Sequence, residues 1–347
     1  MKKIGSAKSI LGFVSAAHFL VDFSCIFLVT SLLPGEQGIL FALLYNFCAF
    51  GLQFPVGIIA DFFRSHLLFA ALGGLLIALS FFMVGFAPCA ACVMAGIGNS
   101  CFHIGGGVTV MHAFPKKAAP LGIFVSPGAL GVFLAMACGS LKDVFFYICP
   151  DVMFVVFLFF LYLGLHEQKK EIQSGSSLKN LRVISVVAVL LLFLAVVIRS
   201  YFGLILVFPW KTGFWLPFLF VGGVALGKAV GGFFGDRFGI IPTAVGSLCL
   251  SALFFLFAEG SALCGIFGVL CFNMTMPLTL FALGEILGDA KGCAFGLTTF
   301  AIFLGTLPTL SPSLTFSGDL IVMLLLIALS AMLIVHGVML GFGGKKV

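Results

Sequence analysis

Gly232-Phe-Phe-Gly-Asp236-Arg237-Phe-Gly239 closes one long apolar run of the sequence. Gly57-Ile-Ile-Ala-Asp61-Phe-Phe-Arg64 closes another, six apolar runs earlier. Each copy places a Gly, and four residues on an Asp, at the end of a run long enough to cross a bilayer as a helix. A pattern that returns after six spans is the mark of an internal repeat. The fold class that follows is an all-α membrane protein of twelve transmembrane helices in two six-helix bundles.

Composition agrees. Of 347 residues, 62% are hydrophobic and 9% charged, where a soluble domain carries about 25% charged residues. So few charges cannot cover a water-exposed surface, which excludes a soluble enzyme or binding module. The 44 Phe and 43 Gly suit closely packed, lipid-facing helices. The apolar runs are about 20 residues long and do not alternate, which argues against a β-barrel. The net charge of +6 reflects bases gathered in loops on one side, a matter of membrane orientation rather than of nucleic-acid binding. The eleven Cys are scattered through apolar runs and read as small buried residues. Cys89 and Cys92 form an isolated Cys-x-x-Cys with no second pair, too little for a zinc or redox site. Lys2, Lys3 and Lys8 precede an apolar run reaching Leu33, too long for a signal peptide, so a retained first helix is expected.

The expected spans run 9–33, 38–61, 67–86, 88–112, 118–140 and 144–165, then 181–207, 212–235, 240–258, 262–288, 291–310 and 320–342. Residues 1–165 and 181–347 are the two bundles. Between them, 166–180 is polar, charged and rich in Ser and Gly, and reads as a cytoplasmic linker. With the N-terminus in the cytoplasm, fourteen Lys and Arg fall on the inner side and only Lys142 and Lys211 on the outer. That asymmetry places both termini in the cytoplasm.

The second motif resembles the cytoplasmic loop signature of the major facilitator superfamily, Gly-x-x-x-Asp-Arg-x-Gly. The first departs from it, with Phe62 where the base stands and Arg64 where the Gly stands. The resemblance implies the major facilitator fold and a conformational latch, carried by Asp236 and Arg237 and, in the degenerate copy, by Asp61 and Arg64. A carboxylate at a helix end, facing a base or a helix N-terminus, gives such a latch its physical basis. Three further stretches narrow the likeness: Ala17-His18-Phe-Leu-Val-Asp22, Leu52-Gln53-Phe-Pro55-Val-Gly57, and Gly96-Ile-Gly98-Asn-Ser100-Cys-Phe102-His103. Together they resemble the fosmidomycin-resistance type of efflux protein. That family continues its fourth-span His with Pro-Glu, whereas this chain has Ile104-Gly105, so a carboxylate is missing. Ser126-Pro127-Gly128-Ala-Leu-Gly131 loosely resembles the Gly/Pro-rich motif of superfamily antiporters.

The resemblance also implies that spans one, four, seven and ten line a central cavity. Those spans hold His18 and Asp22, Asn99 and His103, Arg199, and Asn273 and Glu285. Lys228 lies in span eight. Polar groups at membrane depth are costly and are kept where they face protein or a water-filled path. His18 and Asp22 are one helical turn apart on one face. A carboxylate in low dielectric beside a His suits proton binding and release, so these two are the expected proton-coupling pair. Asn99, His103, Arg199, Asn273, Glu285 and Lys228 are the expected substrate-cavity residues. Arg199 must find an anion, either Asp22 or an anionic substrate. Glu285 also reads as a gate or helix-end residue, and Asn273 as a helix–helix hydrogen bond.

No Gly-x-x-x-x-Gly-Lys-Ser/Thr run is present, so ATP-driven transport is not expected. The sequence shows no catalytic triad and no local cluster of metal ligands, so no cofactor and no enzymatic activity are expected. The expectation is a monomeric, multi-pass inner-membrane secondary transporter that exports a small organic solute in exchange for protons. Its partners are the substrate, protons and lipid, with no nucleic acid. The competing readings are a proton-coupled importer of a small organic anion and a non-transporting membrane sensor or enzyme.

Overall fold

In the computed structural model, residues 6–33, 35–166, 183–310 and 319–343 are described. All secondary structure among them is helical. Eleven helical stretches are long and apolar enough to cross a membrane. They are α1 (Ala7–Leu32), α2 (Gly35–Phe63), α3 (His66–Met83), α4 (Pro88–Ala113), α5 (Ala119–Ala137) and α6 (Gly139–His166), followed by α7 (Val183–Ile205), α8 (Trp215–Phe238), α10 (Ala262–Ile286), α11 (Lys291–Thr309) and α12 (Leu320–Phe342). The expected ninth span is shorter: α9 covers Ile240–Phe255, 16 residues. Its last turn tightens, with Phe257 N–H donating to the Phe254 carbonyl, and the chain turns through Glu259 and Gly260. The linker expected at 166–180 lies, His166 apart, outside the described residues, as do several of the bases behind the orientation argument.

The chain forms two compact units. The first gathers residues 1–115, 127–176 and 289–296; the second gathers 116–126, 177–288 and 297–347. Thus α5 and α11 each begin in one unit and continue into the other. In the first unit α3 packs along α4 and α6, and α1 lies on α4. Gly73 and Gly98, and Gly105 with Ala70, bring the α3 and α4 backbones too close for any added side-chain carbon. Small residues of this kind are what let helices approach in lipid. In the second unit α12 packs along α7, and the first half of α10 packs along α8 and α9.

Outward-facing positions of the spans are mostly apolar, for example Ile39, Phe82, Val187 and Leu325, with Asp151 and His336 among the exceptions. Buried positions hold the polar groups His18, Gln53, Asn99 and His103. This inverts the soluble pattern and fits a chain solvated by lipid.

Two helices carry π-helical turns, at Leu28–Leu32 in α1 and Phe47–Gly51 in α2. Such turns recur near functional sites. The α10 helix is interrupted at Met274, between Ala262–Asn273 and Thr275–Ile286. Pro277 supplies no N–H for the Asn273 carbonyl, which accounts for the break.

Candidate functional site

The polar centre of the first unit is built by two helices. On α1, His18 and Asp22 share a face by their four-residue spacing. His18 Nε2 lies 3.1 Å from Asp22 Oδ2. On α4, Asn99 and His103 repeat that spacing. Asn99 Nδ2 donates to Asp22 Oδ1 at 3.0 Å, and His103 Nε2 lies 3.6 Å from the same oxygen. The two rings meet edge to face, with Nε2 to Nε2 at 2.8 Å. His18 and His103 are 4% and 5% exposed, Asn99 is fully buried and the Asp22 side chain is 13% exposed, so the cluster is largely shielded within its unit.

The hydrogen bonds restrict the protons. His103 Nδ1 lies 2.9 Å from the Asn99 carbonyl oxygen, which can only accept, so Nδ1 carries a proton. In a neutral ring the His103 Nε2 lone pair therefore points toward His18 and Asp22. Two facing lone pairs at 2.8 Å repel, so one proton lies between the two Nε2 atoms. The Asn99 Oδ1 acceptor is buried without a hydrogen-bond partner.

The α5 backbone closes the cluster. An added carbon on Gly128 would overlap Asp22 Oδ2 and His18 Nε2, and one on Gly131 would overlap the α1 backbone at Phe19. The sequence marks Ser126-Pro127-Gly128 only by its loose likeness to the antiporter motif; Gly128 is the residue through which this stretch borders the cluster.

At the helix ends, the two repeat motifs form matching structures. The Asp61 carboxylate accepts from the backbone N–H groups of Gly292 and Cys293 at 2.7 and 2.8 Å, at the start of α11. The Asp236 carboxylate accepts from Ala118 and Ala119 at 2.6 and 3.1 Å, at the start of α5. A carboxylate across orphan helix N–H groups is favourable both as a cap and against the helix dipole. Arg64 caps α2 in the left-handed region at φ 54°, where Gly239, φ 93°, follows α8. Both positions have positive φ, but ψ is 28° at Arg64 and 161° at Gly239, so the degenerate motif keeps the carboxylate cap and not the backbone form of the intact one. Asp236→Ala is expected to cost about 1 kcal/mol, the worth of a lost cap, and Asp61→Ala the same. Both should read as lower midpoints of thermal unfolding in detergent.

The remaining candidates are dispersed. Arg199, on α7, is half-buried, and no described carboxylate of its own unit lies within ion-pair reach. The Asp22 carboxylate is engaged by His18, His103 and Asn99 of its own unit. Lys228 Nζ donates to the Val125 carbonyl at 3.4 Å, within the second unit. Asn273 donates to the Val269 carbonyl of its own helix at 2.9 Å rather than to a neighbouring helix. Glu285 is half-buried beside the C-terminal end of α10. Lys211, in the loop before α8, sits over the Phe220 ring at 4.2 Å, and burial lowers its pKa.

No protein-family profile and no curated protein sequence matches this chain. Solved structures do. The E. coli fucose:proton symporter FucP aligns over 99% of this chain and 100% of its own, with TM-score 0.66 and 12% identity. A second structure of FucP, described as a major facilitator superfamily transporter in the outward conformation, gives TM-score 0.62 at 13% identity, covering 95% and 99% of the two chains. A bacterial homologue of the iron transporter ferroportin, outward-facing, gives TM-score 0.60 at 13% identity, covering 96% and 99%. Likeness of this extent at such low identity is likeness of fold: the chain adopts the major facilitator fold.

Proposed function

We propose that the chain is a secondary active transporter that moves a small organic solute by alternating access, coupled to protons at the His18–Asp22–His103 cluster. The observation that carries the reading is this cluster: one carboxylate, two imidazoles and a carboxamide, buried on adjoining helices of a transporter fold. Intramembrane ionisable residues are expensive and are kept for ion and substrate pathways. The direction favoured is efflux by antiport, from the motifs in α1, α2 and α4 that resemble fosmidomycin-resistance proteins. The location is a plasma or inner membrane, with both termini inside, and the working unit is a monomer. The Asp61 and Asp236 caps, with Arg64 and Arg237 beside them, act as latches that hold one state of the cycle. Arg199, Asn273, Glu285 and Lys228 face the solute, and Arg199 takes its anionic group.

Proton symport inward is the second reading, favoured by the likeness to a fucose:proton symporter. Flux of labelled organic anions into sealed vesicles, with the pH gradient imposed in each direction, separates the two. Antiport predicts uptake when the lumen is acidic, and symport when the outside is acidic. No flux of any candidate in either arrangement sinks both and revives a sensor. Arg199→Gln is expected to weaken anion transport by about 100-fold, a loss of about 3 kcal/mol for an unpaired charge, while leaving neutral solutes unaffected. Equal loss for both would assign Arg199 to folding.

A further inference from the structure

We infer that His18, Asp22 and His103 also form a binding site for a divalent transition-metal ion of the zinc, iron, cobalt and manganese class. The inference stands on donor chemistry and geometry and does not depend on the solute proposed above.

The three side chains each offer one ligand atom, and these atoms all lie within 4.8 Å of one another. The separations are 2.8 Å between the two Nε2 atoms, 3.1 Å from His18 to Oδ2 and 3.6 Å from His103 to Oδ1. Nitrogen and oxygen ligands about 2.1 Å from a common ion stand roughly 3.0–3.4 Å apart at tetrahedral or octahedral angles. The two Asp22 distances run to different carboxylate oxygens, so an ion would replace the present hydrogen bonds with small shifts of the rings and either a turn of the carboxylate or binding through both oxygens. Two imidazoles and one carboxylate make up the three-ligand set of catalytic zinc and non-haem iron sites, which leave further positions open.

The surroundings favour an ion as well. His103 holds its Nδ1–H on the Asn99 carbonyl, the outer-shell bond that fixes a ligating ring and aims its Nε2 inward. Asn99 fixes Asp22 in the same way through its Nδ2. Its own Oδ1 is a buried acceptor with no donor, and a water on the ion would supply one. Hard cations are poorly served here, since calcium takes six to eight oxygen ligands. Soft ions lack a thiolate, because Cys25 Sγ is directed to the Ala95 carbonyl. No ligand spacing in the sequence marks the site, since the donors come as a local pair and a single His from separate helices.

The test uses the full chain in detergent, stripped of metal by chelator and titrated with Co²⁺ at fixed pH while its visible spectrum is recorded. The expected result is one ion per chain, with d–d bands and no thiolate charge-transfer band. Affinity should fall by at least about 100-fold in His103→Gln and in the near-isosteric Asp22→Asn. Both variants are first checked for a monodisperse gel-filtration peak; if His103→Gln fails that check, Asp22→Asn decides. No stoichiometric Co²⁺ on wild type, equal binding by Asp22→Asn, or a thiolate band each overturns the site. Vesicle flux of organic solute without Co²⁺ binding overturns the metal site and leaves the transport reading standing. Co²⁺ binding in a chain that moves no solute supports the metal site and removes the transport reading.

Discussion

Asp22→Asn is expected to abolish proton release when a transported solute is added to purified protein in weakly buffered detergent. The substitution keeps size and one acceptor oxygen, so the 3.0 Å bond from Asn99 is preserved in form. It removes the single negative charge on which two imidazoles converge, at 3.1 and 3.6 Å. Losing one partner of a buried charged group costs about 3 kcal/mol or more, roughly 100-fold in the coupled equilibrium. Folding should survive, because His18 and His103 keep their 2.8 Å bond to each other. Release in wild type that vanishes in the variant supports exchange at this cluster. Release unchanged in the variant would move the proton site elsewhere.

Gly128→Ala carries the second large effect. The added carbon would overlap both Asp22 Oδ2 and His18 Nε2, the ends of two side chains that could clear it only by turning away from their present partners. Overpacking of this kind costs about 1–3 kcal/mol, and here the displaced atoms belong to the cluster itself. Transport should fall at least about tenfold by that cost, with a lower unfolding midpoint. Gly222→Ala is the control, since nothing lies within 4 Å of the carbon it would add. Equal transport in the two variants would mean that α5 does not confine the cluster.

The parts of the molecule that were legible in the sequence are those with local causes. Spans follow from apolar length, and the repeat from Asp61 and Asp236 at matching helix ends. The pairs His18 with Asp22 and Asn99 with His103 follow from four-residue spacing. What joins the two pairs is the packing of α1 on α4, which no spacing encodes. The sequence left Asp22 and an anionic substrate equally open as the anion for Arg199, yet Asp22 is already met by His18, His103 and Asn99. Asn273 turned to its own helix carbonyl, beside a break that Pro277 could have signalled. The 16-residue α9 ended early because the turn at Glu259 and Gly260 is polar.

The two helix-end caps have a use as clocks. The amides of Gly292, Cys293, Ala118 and Ala119 are bonded to carboxylates. Amides in the first turn of a helix have no partner within it and exchange readily with solvent unless something else holds them. Deuterium uptake at these four positions therefore times the opening of each cap separately, in unlabelled protein and without any added probe. A solute that shifts the cycle will slow one pair of amides or hasten it, and the pair that responds names the unit whose cap moved.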